Sequence, residues 1–338
     1  MDYRSSGVDI DEGERAVELM KESVRRTFTP GVLSDLGQFG GLFDAGFPEM
    51  DRPVLVASTD GVGTKLKVAS MTGRYGTVGM DLVNHCVNDI LVQGARPLFF
   101  MDYIACGTLS ALTVAEIVSG LSAACRENGC ALLGGETAEM PGFYEPGDYD
   151  VAGTIVGVVE RSRIVDGSGI VPGDRLVGLP SSGLHTNGYS LARRVIFQEA
   201  GMGPDDSHPL LNGASVGETL LRVHRSYLED LQPVLENGIV KGLAHITGGG
   251  IPGNLSRILP KGCGAVVRPE WPVPGIFRMI GELGSIDPEE MRRAFNMGLG
   301  MIVVVAAGDT DRAMDLLGGS GGFHAGVITA GGGIRFEN

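Results

Sequence analysis

Long apolar runs, basic clusters and paired-cysteine motifs are all scarce in this chain of 338 residues. The most apolar stretch, Met297 to Ala307, falls far short of the ~20 residues that a membrane-spanning helix needs, and it reads as a buried strand. No Lys/Arg run is long enough to make a phosphate-tracking patch, and the net charge is −14, which argues against nucleic acid as a partner. The five cysteines (Cys86, Cys106, Cys125, Cys130 and Cys263) are odd in number and scattered, with no Cys-x-x-Cys. That pattern speaks against a zinc site or a disulfide framework and for reduced, buried thiols in a cytoplasmic protein. Met1 to Ser6 carries no apolar core, so no signal peptide is expected.

The chain has glycine in abundance: 54 residues, clustered after apolar runs rather than spread as a low-complexity repeat. With 20% charged and 43% apolar residues the composition is that of an ordinary globular protein. The length suits two domains of roughly 150 residues each. Residues 161–173, rich in Ser, Gly and Asp, read as the link, which gives domains 1–165 and 166–338. Strands alternate with helices in both halves, so the expected fold class is α/β with mixed sheets.

The chemistry centres on Ser58-Thr59-Asp60-Gly61-Val62-Gly63-Thr64-Lys65, which follows an apolar strand over 53–57. Asp60 suits a hard cation such as Mg²⁺. Gly61 and Gly63 let backbone N–H groups approach a phosphate, and Lys65 offers a point charge. The alternative is an ordinary Asp-Gly turn. The spacing is not that of a Walker loop.

A helix over 79–94 carries an apolar stripe (Leu82, Val83, Val87, Ile90 and Leu91) and sets Asn88 and Asp89 on a different, polar face. An acid on so apolar a helix needs a partner: a metal ion, or alternatively a cap or ion pair. A second apolar strand, 130–133, then delivers Gly134-Gly135-Glu136-Thr137-Ala138-Glu139-Met140-Pro141-Gly142, repeating the device at Asp60. Asp60, Asp89 and Glu136 are the metal candidates.

In the second half, Ser181-Ser182-Gly183-Leu184-His185-Thr186-Asn187-Gly188 leads into a helix over 189–199. It reads either as an anion site or as a capped helix start. His245-Ile246-Thr247-Gly248-Gly249-Gly250 ends another strand, and its glycines suit close approach to phosphate. His245 itself reads equally as a structural or a proton-transferring residue. The glycine-rich stretch 37–46, with Phe39, Leu42 and Phe43, reads as a loop with aromatic plugs. Together these segments suggest Mg²⁺-dependent phosphoryl transfer from a nucleotide, and leave the acceptor open.

Several stretches carry a close resemblance to the phosphoribosylformylglycinamidine cyclo-ligase family, also called aminoimidazole ribonucleotide synthetases. They are Gly7 to Ile10, Ser58 to Lys65, Val87 to Ile90 with Gly94-Ala95, Gly134 to Tyr144, Ser181 to Leu191, Gly242 to Gly250 and Phe295 to Met301. They run in order through nearly the whole chain. Gly134 to Tyr144 separates this family from superfamily kinases that act on thiamine phosphate or selenide.

The resemblance implies ATP-dependent cyclisation of formylglycinamidine ribonucleotide to aminoimidazole ribonucleotide, with Mg²⁺ and release of ADP and phosphate. It implies two α/β domains and a homodimer whose N-terminal domains share a β-barrel. It assigns Thr59, Asp60, Gly61, Gly63, Thr64, Lys65, Asn88, Asp89, Gly135 and Glu136 to the nucleotide and its metal. It assigns Ser182, His185, Thr186, Asn187, Thr247, Gly248, Gly249 and Gly250 to substrate. His245, Lys65 and His185 are the catalytic candidates. Three positions depart from the family pattern. Thr186 stands where serine is commoner, Ala294 replaces a usual threonine, and His85 occupies a position of small or thioether side chains, so His85 is not counted as catalytic.

Overall fold

The structure, a computed structural model, describes residues 7–337; Met1 to Ser6, read above for a leader, lie outside them. The chain is a mixed α/β protein with two sheets and two compact units. The first unit runs to Arg161 without residues 91–94, and the second takes those four and everything from Ser162.

The first unit has strands β1 (Pro53–Gly61), β2 (Arg96–Cys106), β3 (Ala131–Glu139) and β4 (Tyr149–Glu160) in the order β1-β4-β2-β3. Only the β2–β3 pair is parallel. Its helices are α1 (Ile10–Arg25), α2 (Lys65–Thr72), α3 (Gly76–Leu91) and α4 (Ala111–Glu127). Alternation decides what each sheet face does. Phe100, Ile104, Val151 and Ile155 are fully buried. Gly157 sits on that same buried face, where a Cβ would meet Ile90 of α3. The opposite face leaves Leu55 63%, Met101 43% and Tyr103 38% exposed.

Two strands run further than their apolar content predicts. β1 continues through Asp60 to Gly61, paired residue for residue with β4, and β3 continues through Gly135 and Glu136 to Glu139. The motifs expected in loops therefore lie in edge strands. The ladder to the neighbouring strand fixes them, and half of each backbone is left outward.

The second unit has a six-stranded sheet, β10-β7-β9-β5-β8-β6, in which only β10–β7 is parallel. Its strands are β5 (Arg175–Pro180), β6 (Val240–His245), β7 (Cys263–Val267), β8 (Leu299–Val305), β9 (Phe323–Ala330) and β10 (Ile334–Phe336). All seven residues of β8 are buried, as the apolar run predicts. β9 is interior, between β7 and β5. Residues 215–236 are not one helix. α5 (Tyr189–Arg193) and α6 (Val216–Leu220) precede a non-helical segment, and α7 (Leu228–Glu236) follows it. Buried His224 and Tyr227 lie in the segment between α6 and α7.

Candidate active site

The first unit brings Asp60 and Asp89 together through a residue discounted in the sequence. His85 and Asp89 are one turn apart on α3, and Asp60 lies on the same side of β1. His85 Nε2 is 2.9 Å from Asp60 Oδ2 and 3.6 Å from Asp89 Oδ2. Ser58 Oγ donates to Asp89 Oδ2 at 3.2 Å, and the Gly61 N–H donates to Asp60 Oδ1 at 2.6 Å. Burial alone lowers the pKa of His85, but its hydrogen bond to Asp60 and the charges of Asp89, Asp60 and Asp81 outweigh burial and hold it above the usual value. The two carboxylates thus converge on one imidazole, whose protonated form they favour. They are oxygen donors of the kind a hard divalent ion takes, and they fit Mg²⁺.

Glu136 does not join them. β1 and β3 are opposite edges of the sheet, three strand steps or roughly 14 Å apart at about 4.8 Å per step. Glu136 is in register with Tyr103 on the exposed face, whereas Asp60, Gly153, Asp102 and Gly135 form one row on the other. Within one chain the three acids cannot share one ion. Glu139, the second acid of that motif, accepts from the Asp9 and Leu109 N–H groups at 2.7 Å each, which ties down backbone.

Two further expectations are corrected. Lys65 is not a phosphate-facing cation: its side chain is 0% exposed and its Nζ lies 2.7 Å from Asp81 Oδ2, also 0% exposed. It starts α2, whose inward side carries the charge into the protein. Asn88 is likewise fully buried, so it is not an open nucleotide contact. Gly63 and Thr64 remain exposed, and the Thr59 hydroxyl pairs with Thr154 Oγ1 at 2.7 Å.

Apart from that cluster, this unit has a cleft of about 1100 Å³ bounded by α1, residues 35–41, α4 and the β2–β3 edge, with Gly135 and Glu136 on its wall. In the 37–46 stretch Phe43 is the plug, 5.2 Å from the Phe99 ring, whereas Phe39 is fully exposed. Asp102 also lines the cleft, and burial raises its pKa to about 7.

In the second unit three buried imidazoles meet. His185 sits at φ 61, a left-handed conformation uncommon for a side-chain-bearing residue, and accepts from the Ser182 N–H at 3.2 Å. Its ring stacks on His224 at 3.9 Å, and His224 Nε2 is 2.9 Å from His245 Nε2. Thr186 Oγ1 lies 3.4 Å from His224 Nδ1, and Asn187 Nδ2 lies 3.4 Å from Thr186 Oγ1. Ser182 Oγ donates to the Val223 carbonyl at 2.5 Å.

Asn254 donates to the carbonyls of Thr247, Gly248 and Gly250 and so fixes the glycine turn. A Cβ on Gly248 would lie 3.2 Å from Asn187 Oδ1, so the two expected substrate segments are neighbours. Asn296 holds the other end, accepting from Ser181 Oγ at 2.9 Å and donating to the Gly183 carbonyl. His224 and Asn296 carry no motif of their own and escape a reading along the chain.

The family models for the AIR synthase related protein match in both halves, the N-terminal domain over residues 44–159 and the C-terminal domain over 171–337. A phosphoribosylformylglycinamidine cyclo-ligase of Myxococcus xanthus is 53% identical over 332 residues, covering 97% of this chain and 96% of its own. That of Syntrophotalea carbinolica is 51% identical over 320 residues, covering 94% and 91%. The chain belongs to the phosphoribosylformylglycinamidine cyclo-ligase family. Among solved structures, a thiamine-monophosphate kinase from Stenotrophomonas maltophilia matches with TM-score 0.71 at 17% identity, covering 94% of this chain and 96% of that one. The hydrogenase maturation protein HypE in complex with ATP matches with TM-score 0.66 at 19% identity, covering 94% and 86%. These two share the fold.

Proposed function

We propose that this cyclo-ligase family member closes the imidazole ring of aminoimidazole ribonucleotide from formylglycinamidine ribonucleotide and ATP, releasing ADP and phosphate in purine biosynthesis. The identity of about half of all residues across nearly the full length of both chains carries this reading. An amide oxygen leaves poorly. Transfer of the ATP γ-phosphoryl group to the formyl oxygen makes it a phosphate ester. The ribose-bearing amidine nitrogen then attacks the formyl carbon, a C–N bond forms, and the C–O bond breaks as phosphate departs.

Asp60 and Asp89 are the residues we assign to Mg²⁺, which when bound would neutralise phosphate charge; their shared grip on His85 supports this. The glycine-rich cleft and the exposed Gly63 and Thr64 are our assignment for the nucleotide, with Glu136 at the cleft wall. Ser182, His185, Thr186, Asn187 and Thr247 to Gly250 are assigned to substrate, and His245, hydrogen-bonded to His224, to proton transfer. A homodimer is part of the same proposal, supported by the apolar sheet face around Leu55, Met101 and Tyr103. So is a cytoplasmic setting, supported by the free cysteine thiols.

Incubation with ATP, Mg²⁺ and formylglycinamidine ribonucleotide tests the reading. ADP, phosphate and aminoimidazole ribonucleotide are expected in equal amounts. Phosphorylation of thiamine phosphate with no imidazole product would make the chain a kinase instead. Asp60→Asn is expected to weaken Mg²⁺-dependent ATP binding about tenfold or more, the loss of one charge-assisted contact.

A further inference from the structure

We infer that His224 is a positioning residue for the proton transfer assigned to His245: it accepts the His245 Nε2–H and so fixes the tautomer whose basic nitrogen is Nδ1. The inference rests on the reading of His245 above and adds the group that makes this imidazole a base. His224 Nε2 lies 2.9 Å from His245 Nε2, and both rings are buried. Two ring nitrogens at that distance hold one proton between them, so one ring donates and the other accepts. A base needs a lone pair outside that bond. Neutral His245 has one only when its own proton sits on Nε2 and His224 accepts it. Were His224 the donor, neutral His245 would carry its proton on Nδ1 and have no lone pair with which to take another.

The neighbouring groups complete that pattern. With Nε2 accepting, the His224 proton is on Nδ1 and meets Thr186 Oγ1 at 3.4 Å, where Asn187 Nδ2 also donates at 3.4 Å. Two donors fill both lone pairs of the hydroxyl oxygen, and the Thr186 O–H is left to donate in turn. The backbone is pinned on both sides of His224. Ser182 Oγ donates to the Val223 carbonyl at 2.5 Å, and the Tyr227 hydroxyl donates to the Pro180 carbonyl at 3.0 Å. His185 stacks on the His224 ring at 3.9 Å and 18° from parallel, which fixes the ring plane. Rings stacked in this way direct their in-plane lone pairs along nearly parallel planes, so these two do not converge on one metal ion, and the geometry fits a hydrogen-bonded chain. As the C–N bond forms, the proton of the amidine nitrogen passes to His245 Nδ1. The imidazolium that results keeps its Nε2–H on neutral His224, now as a stronger, charge-assisted bond. It returns the proton to water once phosphate has left.

The test joins NMR of the full chain, its six histidines labelled with ¹⁵N, to steady-state kinetics with ATP, Mg²⁺ and formylglycinamidine ribonucleotide. In wild type the His245 ring, assigned by its loss in His245→Asn, is expected as the Nε2–H tautomer. His224→Phe keeps a ring to stack on His185 but has no acceptor. It is expected to turn His245 into a mixture of tautomers and to lower kcat about tenfold to a hundredfold, as loss of a hydrogen bond to a charged group does, with KM changed by less than about twofold. His224→Gln, whose amide oxygen accepts, is expected to recover most of kcat. Melting profiles report folding, and the wild-type spectrum decides the tautomer even where a variant does not fold. A wild-type His245 protonated on Nδ1 overturns the inference. So does an unchanged kcat in a folded His224→Phe protein, or an equal loss in the Phe and Gln variants, which would leave His224 as packing alone. Full activity of His245→Asn overturns the reading of His245 itself, and this inference with it.

Discussion

Replacing Lys65 by Met separates the two roles this lysine can have. Lys65 and Asp81 form an ion pair at 2.7 Å with neither side chain exposed. Burial pulls the lysine pKa down, and Asp81 offsets only part of that. Such a pair adds little net stability, since desolvation consumes most of the Coulombic attraction, but removing one partner leaves a charge stranded in the interior. Lys65→Met is therefore expected to cost about 3–5 kcal/mol. Asp81→Leu in the same protein should recover most of it, to within about 1–2 kcal/mol of wild type, because the remaining side chains are apolar and of similar volume. Urea unfolding followed by far-UV circular dichroism gives the midpoints, and the cycle gives the coupling. The double variant should also bind ATP with near wild-type affinity. A Lys65→Met protein as stable as wild type, or a restored double variant that no longer binds ATP, would refute the argument and return Lys65 to the phosphates.

Asp102 makes stability fall as pH rises. Its folded pKa of about 7 stands above the ordinary aspartate value of 3.8 that holds in the unfolded chain, so its contribution is complete below pH 4 and is lost as pH climbs to 7. The gap corresponds to about 4 kcal/mol at most, of which about 2–3 kcal/mol falls between pH 5 and 8. Asp102→Asn should gain that much relative to wild type over this interval in urea midpoints, and an equal difference at both pH values would contradict the assignment. Gly300→Ala should cost about 1–3 kcal/mol, since the new methyl meets the Tyr227 hydroxyl and the His185 ring, and a calorimetric melting temperature would register it. Arginine at both Leu55 and Tyr103 should convert the proposed dimer to a monomer in light scattering without lowering the helix content.

Much of this architecture is written in local pattern. The β8 core strand, the amphipathic α1 and α4, and the glycine stop after α4 follow from periodicity and caps. Asp60 and Asp89 were legible as a pair because each is an acid beside apolar residues. The His85–Asp89 spacing of one helical turn was visible too, yet an imidazole there departs from the family pattern, and only the fold shows Asp60 on its other side. Lys65 misled for a different reason. A lysine after Gly-Thr looks solvent-facing along the chain, and its burial depends on Asp81, sixteen residues on and in another helix. His224 lies in a non-helical segment between α6 and α7 and belongs to no motif, so its meeting with His185 and His245 is a product of tertiary packing alone.

Glycine beside an acid has two physical meanings, and register decides between them. A loop glycine frees N–H groups for an anion. A strand glycine removes a side chain from the sheet face and makes room for whatever the neighbouring strands put there. Gly135 is of the second kind: its N–H belongs to an edge strand in a parallel ladder, and the space it vacates is taken by the Asp102 carboxyl. Gly153, directly opposite Asp102 on the other side, vacates space for the Phe100 ring. The repeated strand–glycine–acid device therefore does not gather three acids around one ion. It sets Asp60 on one edge of the buried row, within reach of α3, and leaves Glu136 on the far edge facing outward. Between them stands an acid that no motif flags, held where its charge is disfavoured, with a cleft on one side and glycines on both.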